Sequence, residues 1–322
     1  MPILILLFSC KKDKSISPCN PTIVDCQGQC EELLRIDTLT FGYVPSNHGV
    51  HHYNPFFDPS SNDRFVYLEK DYGTGVTRLM THERSSGISS EILSTVSFAN
   101  GFLNEPKWTS TNWIVFTTLS VKNVWKIRPD GSGLTQLTLS GNFIFPEVNP
   151  AGDRIIAFVN SIGGVIMDTA GTFLDTIQVG FPATWTSSNR IYAPAGATLP
   201  DYGIGYYDFI ADSVKQVNTW GYTEGRDQIE AIQWCAIDNQ ILYSRWSNSL
   251  FLDPENFSQA DTTKKGCYKH FFDAFDISPL DGEIIASKLY VDSITPSHEL
   301  AISRYIVTFD KGGCNETAIE LP

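Results

Sequence analysis

The chain has 322 residues, 42% of them hydrophobic and 12% aromatic, which is ample for a buried core and excludes disorder as a description of the whole. Its 23 lysines and arginines stand against 36 aspartates and glutamates, and the resulting net charge of −13 repels phosphate backbones and anionic membrane surfaces. Nucleic acid is therefore excluded as a partner. Gly (24) and Pro (17) punctuate the sequence, and after residue 35 no long apolar face with helical spacing runs without a breaker, so the composition is that of an all-β protein.

The chain opens with "MPILILLFSCKKDKS", an apolar run from Ile3 to Phe8 that is too short to span a bilayer and is followed by charged residues. It resembles a bacterial lipoprotein signal, with Leu7 three residues before the cleavage point, the small Ser9 next to it, and Cys10 as the residue to be lipidated. No Lys or Arg precedes the apolar run, so the recorded start is read as truncated. On this reading residues 1–9 are the signal, 10–34 a lipidated, cysteine-containing tether, and 35–322 the folded domain. Membrane contact is then expected through the lipid alone, at the periplasmic face or the cell surface.

Six further cysteines follow, Cys19, Cys26, Cys30, Cys235, Cys267 and Cys314. An even number outside the cytosol permits disulfides, and buried thiols at Cys235 and Cys267 are as compatible with the sequence as a bridge between them. Zinc is the weaker reading of Cys26 and Cys30, because no histidine stands at ligand spacing. Next, Leu34 to Val44 is strand-like and left over before the first repeat, and it reads either as a clasp pairing with the last blade, around "ETAIELP", or as an ordinary first strand lying over the side.

From Asn54 onward one pattern recurs: "NPFFDPSSNDRFVYL", "EPKWTSTNWIVF" from Glu105, "FPEVNPAGDRIIAF" from Phe145, "FPATWTSSNRIYA" from Phe181, "AIQWCAIDNQILYS" from Ala231 and "DAFDISPLDGEIIAS" from Asp273. Each copy has an aromatic or β-branched residue, a tetrad rich in turn formers, and then an apolar β run. Their register residues are Asp58, Thr109, Asn149, Thr186, Cys235 and Ser278, separated by 51, 40, 37, 49 and 43 positions. A period of this length with about four short strands per repeat predicts a β-propeller. Phe57, Trp108, Val148, Trp185, Trp234 and Ile277 precede the register residues and are expected to pack between blades.

Between two copies lies "IRPDGSGLTQLT". It lacks the Gly-Lys-Ser/Thr ending of a phosphate loop and the distal glutamate of a calcium loop, and its apolar alternation predicts a hairpin turn at Asp130–Gly133. The longer stretch "NVWKIRPDGSGLTQLTLSGNFIFPEVNPAGDRIIAF" resembles the repeat of TolB-type six-bladed β-propellers, with Asp-Gly-x-Gly, Leu-Thr and a Pro-Asp-Gly-like turn opening the next blade. That last turn recurs at Ile277–Gly282, while the copies at Trp108, Trp185 and Trp234 keep the aromatic and lose the turn motif. The resemblance covers about residues 35 to 322 and implies six four-stranded antiparallel blades serving as an interaction module.

Loops just upstream of the innermost strands converge on one mouth of a propeller's channel, where ligands commonly bind. Those positions are His51 and His52, Glu105, Asp227 and Glu230, and His270 with Asp273. Ring closure would bring His51, His52 and His270 together with acidic neighbours, a set suited to a divalent metal or proton transfer. The spacing matches no defined metal motif, no Gly-x-Ser-x-Gly elbow is present, and no metal or cofactor is assigned. The leading expectation is a monomeric, non-catalytic envelope lipoprotein presenting its propeller to a protein or glycan. The alternative is a polysaccharide lyase or hydrolase with a histidine-rich, metal-dependent site at the mouth.

Overall fold

In the computed structural model the described residues are 43–45, 49–98, 103–118, 121–139, 141–159, 162–194, 202–220, 229–237, 239–245, 249–254, 271–294, 300–309 and 317–321. The signal, the whole of the tether with Cys10, and the candidates Asp227 and His270 lie outside them, as do all the cysteines but Cys235. Every regular element described is a strand, and no described helix is long and apolar enough to cross a membrane.

A short strand β1 (Tyr43–Pro45) precedes six sheets. The first contains β2 (Val50–Asp58), β3 (Ser61–Asp71), β4 (Thr77–Glu83) and β5 (Ile88–Ser94); the second β6 (Leu103–Trp108), β7 (Ile114–Thr118), β8 (Val124–Ile127) and β9 (Thr135–Gln136). The third holds β10 (Phe143–Val148), β11 (Arg154–Val159), β12 (Gly163–Asp168) and β13 (Phe173–Ile177). The fourth holds β14 (Thr184–Trp185), β15 (Arg190–Pro194), β16 (Tyr202–Asp208) and β17 (Ser213–Trp220). Three described strands, β18 (Ile229–Cys235), β19 (Gln240–Arg245) and β20 (Ser249–Pro254), make the fifth. The last is β21 (Phe271–Ile277), β22 (Ile284–Ile294) and β23 (Leu300–Phe309), with β24 (Thr317–Ala318) on its edge. Within each sheet successive strands pair antiparallel in chain order, the arrangement of propeller blades. Five sheets thus have the four or more strands expected of a blade, and the fifth in the chain shows three among the described residues.

The six register residues all fall where the first strand of a sheet turns into the second. There the backbone N–H groups of Thr109, Asn149, Thr186 and Ser278 donate to the carbonyls of Trp113, Arg154, Arg190 and Glu283 at 2.7 to 3.0 Å. Five of the six turns, all but the tighter one after Asp58, contain one residue with positive φ, and Gly152 (73°) and Gly282 (76°) supply it in the two copies that keep the glycine. The copies that lose the motif keep the geometry: Asn112 (59°), Asn189 (58°) and Asn239 (54°) take the same left-handed place. Asparagine is the side chain that tolerates this conformation best after glycine.

Strand composition follows position in the blade. β7, with a neighbouring sheet on each face, is buried along its whole length and reads as the continuous run "IVFTT". β13 at the outer edge is exposed along four of its five residues. The six expected packing residues each enter a different core cluster, and each cluster joins two sheets. Trp108 lies between the first and second, Val148 packs against the cluster between the second and third, and Trp185 lies between the third and fourth. Trp234 packs between the fourth and fifth, Ile277 lies between the fifth and last, and Phe57 between the last and first. The sheets therefore follow one another around a closed ring.

Closure involves both ends of the chain. β1 pairs in parallel with Leu300–Ile302 of β23, and β24 pairs antiparallel with Val307 and Thr308 of the same strand. The opening strand thus pairs with the last blade as a clasp, through β23, and the segment around "ETAIELP" joins the same strand beside it. The Asp130–Gly133 stretch is the predicted turn, linking the third and fourth strands of the second sheet. Gly133 has φ 70°, and a Cβ there would stand 2.9 Å from the Trp113 ring, which Arg128 covers from 3.7 Å. Its glycines serve geometry.

Candidate functional site

The innermost strands share a second feature. Register shifts interrupt their pairing between Tyr53 and Phe56, Asn104 and Lys107, Ile144 and Glu147, Ile229 and Ala231, and Phe272 and Ala274. These are β-bulges, which bend a strand and re-aim the side chains around it. Two contain left-handed residues, Asn54 (φ 53°) and Phe145 (φ 49°). For a phenylalanine this backbone is unfavourable, and its ring is held by stacking on Phe181 at 4.8 Å.

The bulges surround a cavity of about 100 Å³ on the ring axis. Proline or alanine faces it from every sheet: Pro55, Pro106, Pro146, Pro182, Ala231 and Ala274. Phe56, Phe145 and Phe275 add aromatic wall, and Lys107, Glu147 and Gln233 are polar groups within it. Lys107 Nζ stands 2.9 Å from Glu147 Oε2 and 4.6 Å from the centre of the Phe56 ring. Both side chains are mostly buried, and burial pushes the Glu147 carboxyl above its ordinary value even though Lys107 pulls it down.

Asp276 lies one residue beyond the lining Phe275 and is buried. Its Oδ2 accepts a 2.8 Å hydrogen bond from the Phe57 N–H, joining the last sheet to the first. Burial pushes its pKa up to about 7; Lys107 and the Phe57 N–H oppose this, and the nearby Glu147 charge adds to it. Lys107, Glu147 and Asp276 thus come from three sheets and act on one another electrostatically.

The sequence-derived candidates are distributed differently. His51 and His52 are consecutive on β2, so they face opposite sides of the sheet. His51 meets the Tyr72 ring edge-on at 4.7 Å. His52 meets Tyr67 at 5.6 Å and places Nε2 3.5 Å from Glu69 Oε2. Arg78 then links Glu69 (2.6 Å) to Glu91 (3.3 Å) across the same sheet. The His52 ring and the Arg78 guanidinium hold the Glu69 carboxyl below its ordinary value, against the opposing effect of burial. Glu105, Glu230 and Asp273 sit at the bulge positions of β6, β18 and β21, the backbone places that correspond to the cavity-lining Asn54 and Phe145. Among the described residues no group of three or more His, Cys, Asp and Glu could hold a metal.

Sequence reasoning did not single out Lys107, Glu147 or Asp276. A signal for the first two existed. The copies align Phe56, Lys107, Glu147, Ala183, Ile232 and Phe275 after the proline or alanine, so opposite charges occupy one otherwise apolar column in consecutive repeats. Consecutive repeats are neighbouring blades, which makes such a pair a contact. Cys235, at its register position, is fully buried within a core cluster.

The sequence matches no protein-family model and no curated protein. By structure it is similar to TolB from Acinetobacter baumannii, with a TM-score of 0.54 and 13% identity over 84% of this chain and 63% of that one. It is similar as well to the β-propeller domain of the Trilobed protease from Pyrococcus furiosus, with a TM-score of 0.53 and 10% identity over 84% of this chain and 98% of that one. An acylaminoacyl peptidase from Pyrococcus horikoshii gives a TM-score of 0.53 and 9% identity, covering 86% of this chain and 54% of that one. At these identities the likeness establishes the fold, an all-β propeller of antiparallel blades.

Proposed function

We propose that this chain is a binding propeller of the bacterial cell envelope that receives a protein or glycan partner at its channel. The observation that carries the reading is the axial cavity. Its wall is mostly apolar and aromatic, a few polar groups converge in it, and bulges in five innermost strands aim side chains at it. That combination is how proteins build ligand sites on a rigid frame. The resemblance to TolB-type repeats and the Cys10 motif support an envelope location, with the protein a lipid-anchored monomer on the periplasmic face or cell surface.

Photo-crosslinking tests the binding reading. A crosslinking phenylalanine analogue at Phe56, in the channel wall, is expected to trap a discrete envelope species, while the same analogue at the exposed Phe173 is not. Equal labelling from both positions overturns it. Anchoring is tested by Cys10→Ala in a chain carrying a full signal peptide, which should stay folded and leave the membrane fraction. The polysaccharide lyase or hydrolase alternative predicts release of new chain ends from envelope polysaccharide, and such turnover would replace the non-catalytic reading.

A further inference from the structure

Three features of the channel select for charge in the same direction. First, the cluster is unbalanced: Lys107 is its one cation, ion-paired to Glu147 in the cavity wall, and Asp276, buried one residue beyond the lining Phe275, is a second carboxylate. With both ionised, the buried group lacks one positive charge, and a buried unbalanced charge is costly. Second, four of the lining residues are prolines, which have no N–H to offer an anion. Third, Phe56, Phe145 and Phe275 present ring surfaces, and Lys107 already lies 4.6 Å from the centre of one of them. Ring faces attract cations and repel anions.

Deepening the binding reading above, and resting on it, we propose that the channel receives a primary ammonium group on a short apolar stem, which enters as the missing cation beside Glu147 and Asp276. The volume agrees. About 100 Å³ is room for roughly three waters, or a ligand of a few heavy atoms that buries its stem against the prolines and phenylalanines. The ammonium comes either from a small free amine or from a lysine side chain of a partner protein.

The proposal has a pH signature. Asp276 holds its proton up to about pH 7 because it is buried, with Lys107 lowering and Glu147 raising that value. A cation beside it favours the ionised form, so binding near neutral pH releases a proton. Affinity accordingly rises by about tenfold from roughly pH 6 to pH 8, as the carboxylate becomes available without displacing that proton.

Calorimetric titration of the whole protein with n-butylammonium, n-butanol and butyrate tests this. Saturable binding is expected for butylammonium alone, with proton release at neutral pH seen as a heat that depends on the buffer's own ionisation enthalpy. Asp276→Asn, whose amide oxygen can still accept from the Phe57 N–H, should weaken butylammonium by about tenfold and remove the pH dependence. Glu147→Gln should weaken it as well, and circular dichroism would check that leaving Lys107 without its partner has not unfolded the chain. No saturable binding of butylammonium, equal binding of butyrate, or unchanged affinity in the folded Asp276→Asn protein overturns the proposal. A blocked lysine, Nα-acetyl-lysine methylamide, separates the sources: binding as tight as butylammonium supports a partner's lysine, and exclusion supports a small amine. Loss of butylammonium binding with channel crosslinking at Phe56 intact would remove the ammonium proposal and leave the binding reading standing.

Discussion

Asp276 shows how one buried carboxyl makes stability depend on pH. Its folded-state pKa is about 7, raised by burial from the ordinary 3.8. The folded protein therefore binds a proton that the unfolded chain has already lost between about pH 4 and pH 7, and stability falls as pH rises through that window. Above it the penalty is constant, on the order of a few kcal/mol. Asp276→Asn should raise the melting temperature at pH 8 and lose most of that advantage at pH 4; an advantage that does not change with pH would show that the carboxyl is not desolvated. At the same scale, Trp185 is 2% exposed in a core cluster and stacks on Phe209 at 5.9 Å. Trp185→Ala should cost about 3 to 5 kcal/mol in denaturant unfolding, the range for deleting a buried large aromatic. A tryptophan lying on the protein surface would lose far less.

In five of the blades the turn between the first and second strands keeps a left-handed residue while its sequence changes. Asn112 and Asn189 both supply a left-handed residue there, at φ 59° and 58°. They differ in a second task. Asn112 Oδ1 accepts from Trp108 Nε1 at 3.1 Å, as Asn239 does from Trp234, whereas no acceptor is found for the Trp185 indole N–H above Asn189. Glycine suits the backbone at both places. Asn189→Gly should therefore be close to neutral, while Asn112→Gly should cost about 1 kcal/mol for the lost indole bond. Equal effects in a pair of thermal melts would mean that the tryptophan contact contributes nothing. The copies without the Pro-Asp-Gly motif carry asparagine where the others carry glycine, an exchange legible in the sequence through the chemistry of positive φ.

Across the whole molecule, the seam between first and last sheets is where a ring built from one chain must be held. Phe57 and Phe65 pack there with Ile285 and Ile306. Asn62 bonds Asp281, and Arg84 grips Glu283 with two nitrogens, the longer contact being 2.9 Å. Arg84 and Glu283 are 199 positions apart, and their side chains are 29% and 23% exposed. A double-mutant cycle with Arg84→Ala and Glu283→Ala should give a coupling of about 1 kcal/mol, because the paired geometry compensates for partial exposure to solvent. Zero coupling would assign closure to the apolar seam and to the β1 and β24 edge pairings alone.

By itself the sequence determined the fold class, the repeat and its register, the positions of the turns and the residues packed between blades. These are local matters of alternation, turn chemistry and side-chain size, and Phe57, Trp108, Trp185 and Ile277 are buried as that reasoning requires. It also held the separation of His51 from His52, since consecutive strand residues face opposite sides. Glu105, Glu230 and Asp273 lie at bulge positions of the innermost strands. Only the tertiary structure decided what the channel contains. A bulge breaks the two-residue alternation of its strand, so the facing of Lys107 and Glu147 cannot be counted from their neighbours. Ring closure then sets Asp276 against Phe57, 219 positions away, and no local pattern reports a contact made by the last blade meeting the first.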